Sequence, residues 1–102
     1  MTHSTTVERR GIAGDHEYVV ATLDITSLDA ANNETFDPAS EFGFDDVFGV
    51  SILGVENAGS YIAQFDHLAG NALYVEGYGG TDPTAGTDVG EVRVKVSGDG
   101  SA

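Results

Sequence analysis

The chain has 102 residues, no Cys, and 17 acidic against four basic side chains, for a formal net charge of −13. That length fits one domain, burying roughly 65% of its unfolded surface. Without Cys there is no disulfide, thiolate nucleophile or thiolate metal ligand. Without a basic stripe there is nothing to displace counterions from DNA or RNA phosphates, so a nucleic-acid partner is not expected.

The acidity has a further consequence. A content of 40% hydrophobic residues, arranged with strand periodicity, argues against a disordered acidic chain. Lys occurs once, at Lys95, and Ala, Val and Gly are common. The expected reading is a surface adapted to molar salt, with an ordinary acidic protein as the alternative; charges spread along the chain argue against a nucleic-acid mimic. In molar salt the range of carboxylate repulsion falls from about 10 Å to about 3 Å. No window approaches the roughly 20 apolar residues that cross a bilayer, so no membrane partner is expected. Residues 1–14 lack the basic and apolar regions of a secretory signal, and nothing marks the chain for export by that route.

Residues 1–14 are polar and hold the adjacent pair Arg9 and Arg10. They read as an arm, either frayed or docked on a neighbouring subunit with each guanidinium gripping a carboxylate. A strand within residues 5–12 is the alternative. In residues 17–26, Val19, Ala21, Leu23 and Ile25 alternate with Val20, Thr22, Asp24 and Thr26, which predicts a strand with the first set inward.

Residues 27–46 are the longest break. Asp37-Pro38 has the form of a helix start and Gly43 of a left-handed stop, predicting one helical turn. Phe36, Phe42 and Phe44 are too many aromatics for a free loop. They either plug one end of a sandwich or form a contact patch for a partner.

Residues 47–55, 61–65 and 73–78 read as an antiparallel meander. Phe48, Val50 and Ile52 share one face of its first strand; Tyr61, Ala63 and Phe65 share one face of the second. Leu73 and Val75 face opposite to Tyr74, Glu76 and Tyr78 in the third. Tyr74 and Tyr78 either pack against a second sheet or stand exposed as a binding surface.

Residues 79–90 are Gly-rich loop. Asp82 and Asp88 within it are candidate oxygen ligands for a hard cation such as magnesium, calcium, sodium or potassium, or else ordinary turn residues. In residues 91–97, Val92, Val94 and Val96 point one way; Arg93 and Lys95 point the other, expected to pair with carboxylates across strands, with subunit contacts as the alternative.

The predicted fold class is therefore all-β, a small antiparallel β-sandwich or jelly-roll-like barrel with one short helical turn. The expected organisation is an arm at 1–14, a β-sandwich at 15–98 and a tail at 99–102. His3, His16 and His67 show no zinc-ligand spacing, and no Gly-x-Ser-x-Gly occurs. We expect no enzyme, no catalytic residue and no cofactor.

The order of elements resembles the capsid decoration, or head auxiliary, proteins of tailed viruses. The matching pieces begin with the strand at 19–25, the acidic loop after it, and Phe42-Gly43-Phe44 leading to Val47. Gly59-Ser60-Tyr61, Phe65-Asp66, Leu73-Tyr74-Val75, a Gly-rich loop and the Val-alternating strand at 92–98 complete the set. The resemblance covers residues 14–98 and departs in an opening loop without a Gly pair and in its acidity. It implies a mechanical role on the outer capsid face, bound to the major capsid protein. It also implies self-association as a homotrimer or capsomer-symmetric ring, after synthesis in the host cytoplasm. With the salt-adapted composition it implies a virus of a halophilic archaeal host. The contacts would come from Arg9, Arg10, Phe36, Phe42 and Phe44. Other virion parts, in the tail or head completion, and a cellular adhesion or carbohydrate-binding module are the alternatives.

Overall fold

The computed structural model of the chain describes residues 3–68, 70–80 and 82–100. The elements follow in the order β1 (His3–Ala13), β2 (His16–Ile25), β3 (Asn33–Thr35), α1 (Pro38–Phe42), β4 (Asp46–Val55), β5 (Tyr61–Asp66), β6 (Ala72–Gly77) and β7 (Gly90–Asp99). One antiparallel sheet has the strand order β1-β2-β7-β4; the other has β3-β6-β5.

Alternate burial builds the core between them. Val19, Ala21, Leu23 and Ile25 of β2 and Val92, Val94 and Val96 of β7 are fully buried. Ala63 and Phe65 of β5, with Leu73 and Val75 of β6, meet them in the same cluster. The protein is a small all-β sandwich.

The expected helical turn forms at α1. Asp37 accepts a hydrogen bond from the Ser40 amide, Pro38 opens the turn, and Gly43 closes it with φ 77°. Phe36, Phe42 and Phe44 are buried at this end of the sandwich. Phe36 meets Phe42 and Phe65 edge to face, at 6.1 and 6.0 Å between centroids.

The expected meander is only half present. β5 and β6 form its hairpin, but β4 leaves for the other sheet and pairs with β7. β4 and β7 are each ten residues long, whereas β5 has six, so the longer partner satisfies more of the β4 backbone. The turn at 57–60, closed by the Ser60 and Tyr61 amides on the Asn57 carbonyl, carries the chain across.

Phe48 does not share a face with Val50 and Ile52. The β4–β7 register shifts between Val47 and Gly49 and again between Ile52 and Gly54. Each shift is a β-bulge whose extra residue is left out of the pairing. Those extra residues are Phe48 and Leu53, 60% and 52% exposed. Val47, Val50, Ile52 and Val55 face the core instead.

The predicted arm is also corrected. Residues 3–13 are β1, paired with β2 from His3↔Ile25 to Ala13↔His16. This agrees with the alternative of a strand within 5–12; residues 1–2 lie outside the described residues. In the same way Asp99 of the expected tail ends β7 opposite Asp46, and residues 101–102 lie outside the described residues.

Candidate functional site

Partners across an antiparallel ladder share a face, so the registers give the outer surface of the four-stranded sheet row by row. One row is Gly11, Tyr18, Ser97 and Gly49; the next is Arg9, Val20, Lys95 and Ser51; the next is Thr6, Thr22, Arg93 and Gly54. Three of the four basic residues in the chain therefore lie on one face of one sheet. Phe48 and Leu53 flank this face from the β4 bulges, and the His16 ring meets Phe48 edge to face at 6.5 Å.

Two of these three cations are held in place. Lys95 Nζ lies 5.1 Å from the centre of the Tyr18 ring. Arg93 Nε donates to Thr22 Oγ1 at 3.0 Å, and that hydroxyl donates to Glu8 Oε2 at 2.8 Å. Arg93 also faces Glu8 directly at 3.6 Å. The expected carboxylate pairing thus holds for Arg93, while Lys95 sits over an aromatic ring. Gly54 has open space above it, leaving a shallow depression of about 360 Å³ between Leu53 and Arg93. Asp24 pairs with Glu91 in the next row, so the cationic centre gives way to an acidic end.

Of the expected contact residues, Arg9 is exposed on this face. Arg10 points to the opposite side, donates to the Phe42 carbonyl and stands over the Phe44 ring at 5.7 Å. Because Phe36, Phe42 and Phe44 are core residues, they present no aromatic patch to a partner. Their type and crowding fitted both outcomes; the cap of α1 decides by folding the loop inward.

Asp82 and Asp88 are not brought together as ligands. Asp82 accepts from the Gly77 amide at 3.3 Å and Asp88 from the Gly90 amide at 3.0 Å, both turn contacts. Among the described residues no group of three or more His, Asp or Glu is placed to hold a metal ion.

One polar cluster has no counterpart among the sequence expectations. His3 of β1 is fully buried between two carboxylates. Its Nδ1 lies 2.6 Å from Glu34 Oε2 and its Nε2 3.1 Å from Glu41 Oε1. Thr5 donates to the same Glu41 oxygen at 2.9 Å, and the Asp29 amide donates to Glu34 Oε1 at 3.1 Å. Burial disfavours the imidazolium, but the hydrogen bonds to Glu41 and Glu34, together with their charges, outweigh it. The His3 pKa is raised from its ordinary 6.5. The ring joins the edge strands of both sheets to α1. A His in a polar segment and a Glu in an aperiodic one carry no signal of this pairing; the signal is wholly tertiary.

No protein-family model, curated protein or solved structure matches this chain.

Proposed function

We propose that this chain is a virion structural protein that binds the outer face of a capsid shell and stabilises it, without catalysis. The observation that carries the reading is the outer face of the four-stranded sheet. A chain of net charge −13 gathers Arg9, Arg93 and Lys95 there, beside Tyr18, Val20, Phe48 and Leu53. A partner with an acidic surface is complementary to the cations. The apolar side chains supply attraction that molar salt does not screen.

In this reading the partner is the major capsid protein, and the chain stands at the virion surface, alone or with copies of itself in a trimer or capsomer-symmetric ring. Binding the assembled shell better than loose subunits stabilises the shell by mass action, increasingly with occupancy. The order of elements set out above supports the same reading.

The test is co-sedimentation in molar salt with capsids built from the shell protein of the same genome. Lys95→Glu and Phe48→Asp replace exposed or half-exposed groups on this face. Both variants should keep the wild-type circular dichroism and lose attachment. Wild-type protein that fails to bind shells, or variants that bind undiminished, would overturn the reading.

A further inference from the structure

We infer that the outer face of the three-stranded sheet is a binding site for a neutral saccharide. The register places Asn33 of β3, Tyr74 of β6 and Gln64 of β5 in one row across that sheet. A phenol ring thus lies between two carboxamides. Tyr74 is 41% exposed, so it does not pack beneath a second sheet. In the adjacent row Thr35, Ala72 and Asp66 align, and the small Ala72 leaves a notch beside the ring. Beyond it the chain rises through His67 and Leu68. The His67 ring is propped edge to face on core Phe65 at 5.3 Å, and Leu68 is fully exposed. All of these except Thr35 line a concavity of about 460 Å³.

The chemistry of the lining selects the ligand. Each carboxamide offers donors and an acceptor at fixed separation, the match for vicinal hydroxyls. Asn33 Oδ1 is shielded from solvent and has no hydrogen-bond partner among the described residues, an unmet acceptor that a ligand hydroxyl would pair once the side chain turns toward the concavity. The ring offers a flat apolar face for the C–H side of a sugar. Asp66 at the rim and the net charge of −13 disfavour phosphate and uronic-acid ligands. Hydrogen bonds and ring contacts to an uncharged ligand survive molar salt, whereas ion pairing does not.

This site does not depend on the shell reading. The two outer faces of a sandwich point apart, so a chain docked through the four-stranded sheet would present the Tyr74 face to solution.

The test uses isotopically labelled full chain in molar potassium chloride, titrated with methyl glucoside, methyl galactoside, methyl mannoside, N-acetylglucosamine and glucuronate and followed by amide chemical shifts. At least one neutral sugar should shift amides around residues 33, 64, 66–68 and 74, with the roughly millimolar dissociation constant of a monosaccharide on an open face. Tyr74→Ala should weaken binding about tenfold or more. Gln64→Ala, a single exposed amide removed from an edge strand, should weaken it about threefold with the remaining spectrum unchanged. Absence of shifts with every neutral sugar would overturn the inference. So would an undiminished affinity in both variants, or tighter binding of glucuronate than of any neutral sugar.

Discussion

Removing the His3 imidazole isolates one term in the stability of the sandwich. In His3→Ala the Glu34 carboxylate loses a charge-assisted hydrogen bond of 2.6 Å while its side chain stays fully buried. Glu41 loses one of 3.1 Å but is 13% exposed and still accepts from Thr5. Removing one partner of a buried ion pair costs about 3–5 kcal/mol. Glu34 retains the Asp29 amide, which places this case near the lower figure, about 3 kcal/mol. Lost contact of the imidazole with Phe36, 6.0 Å away edge to face, adds to it. Against a total stability of about 5–15 kcal/mol the change is large. The double variant His3→Ala, Glu34→Leu should recover much of the loss, since apolar replacement of a buried pair is often neutral or stabilising.

The same group sets a pH dependence. His3 has a raised pKa in the folded state, so between 6.5 and that raised value the native chain binds more protons than the unfolded one. The stabilisation is complete below pH 6.5 and is lost as pH rises through the folded pKa, at no more than about 1.4 kcal/mol per pH unit. The assay is urea unfolding in molar potassium chloride, read by tyrosine fluorescence, from pH 6 to pH 9. Urea is chosen because guanidinium would itself screen the carboxylates. A His3→Ala chain within 1 kcal/mol of wild type, or a wild-type midpoint that does not fall across this range, would refute the reasoning.

Three other outcomes are expected. Lowering the salt from molar to millimolar should reduce the urea midpoint, because Asp24, Glu56, Asp88 and Glu91 crowd one depression and repel over about 10 Å once screening is lost; an unchanged midpoint would count against salt adaptation. Phe36→Ala should cost about 3–5 kcal/mol, measured in the same assay, since the ring is fully buried among Phe42, Phe65 and His3. Gly98→Ala should destabilise by about 1–3 kcal/mol, because its new methyl would lie 2.2 Å from the Asp46 carbonyl oxygen, a backbone atom tied into the β4–β7 ladder; Gly54→Ala, with open space above it, should stay within about 0.5 kcal/mol of wild type.

Period-two burial was legible wherever one strand kept one register. The inward sets Val19 to Ile25 and Val92 to Val96 are the two central strands of the larger sheet, and their alternation reads directly from the chain. β4 resisted the same reading because two bulges reset its phase, and a strict alternation assigns Phe48 to the wrong face. Nothing local marks a bulge there beyond Gly49 and Gly54. β1 was obscured for a different reason: an edge strand whose side chains are mostly exposed need not be apolar. The cationic face was half visible. Arg93 and Lys95 lie two residues apart on one strand and so share a face, but Arg9 joins them only through the β1–β2 pairing, and Phe48 only through the bulge. The Tyr74 row lay deeper still, since Asn33 and Gln64 become its neighbours through two ladders that no single segment encodes.

The bulges of β4 link these observations. An edge strand exposes unpaired backbone groups and invites association, and bulges are one device that blunts it. Here each bulge also turns a large apolar side chain, Phe48 or Leu53, outward beside Arg93 and Lys95. In dilute salt the long-range repulsion between chains of net charge −13 opposes any close approach of copies or of equally acidic partners. At molar salt that repulsion shrinks to about 3 Å, while the apolar contribution of Phe48 and Leu53 is retained or strengthened. The condition that relieves strain among the carboxylates within one chain is thus also the condition under which its apolar face can meet a partner. Folding and the proposed docking should rise together along one salt axis, with Phe48→Asp separating them: it removes the docking and leaves the salt dependence of folding in place.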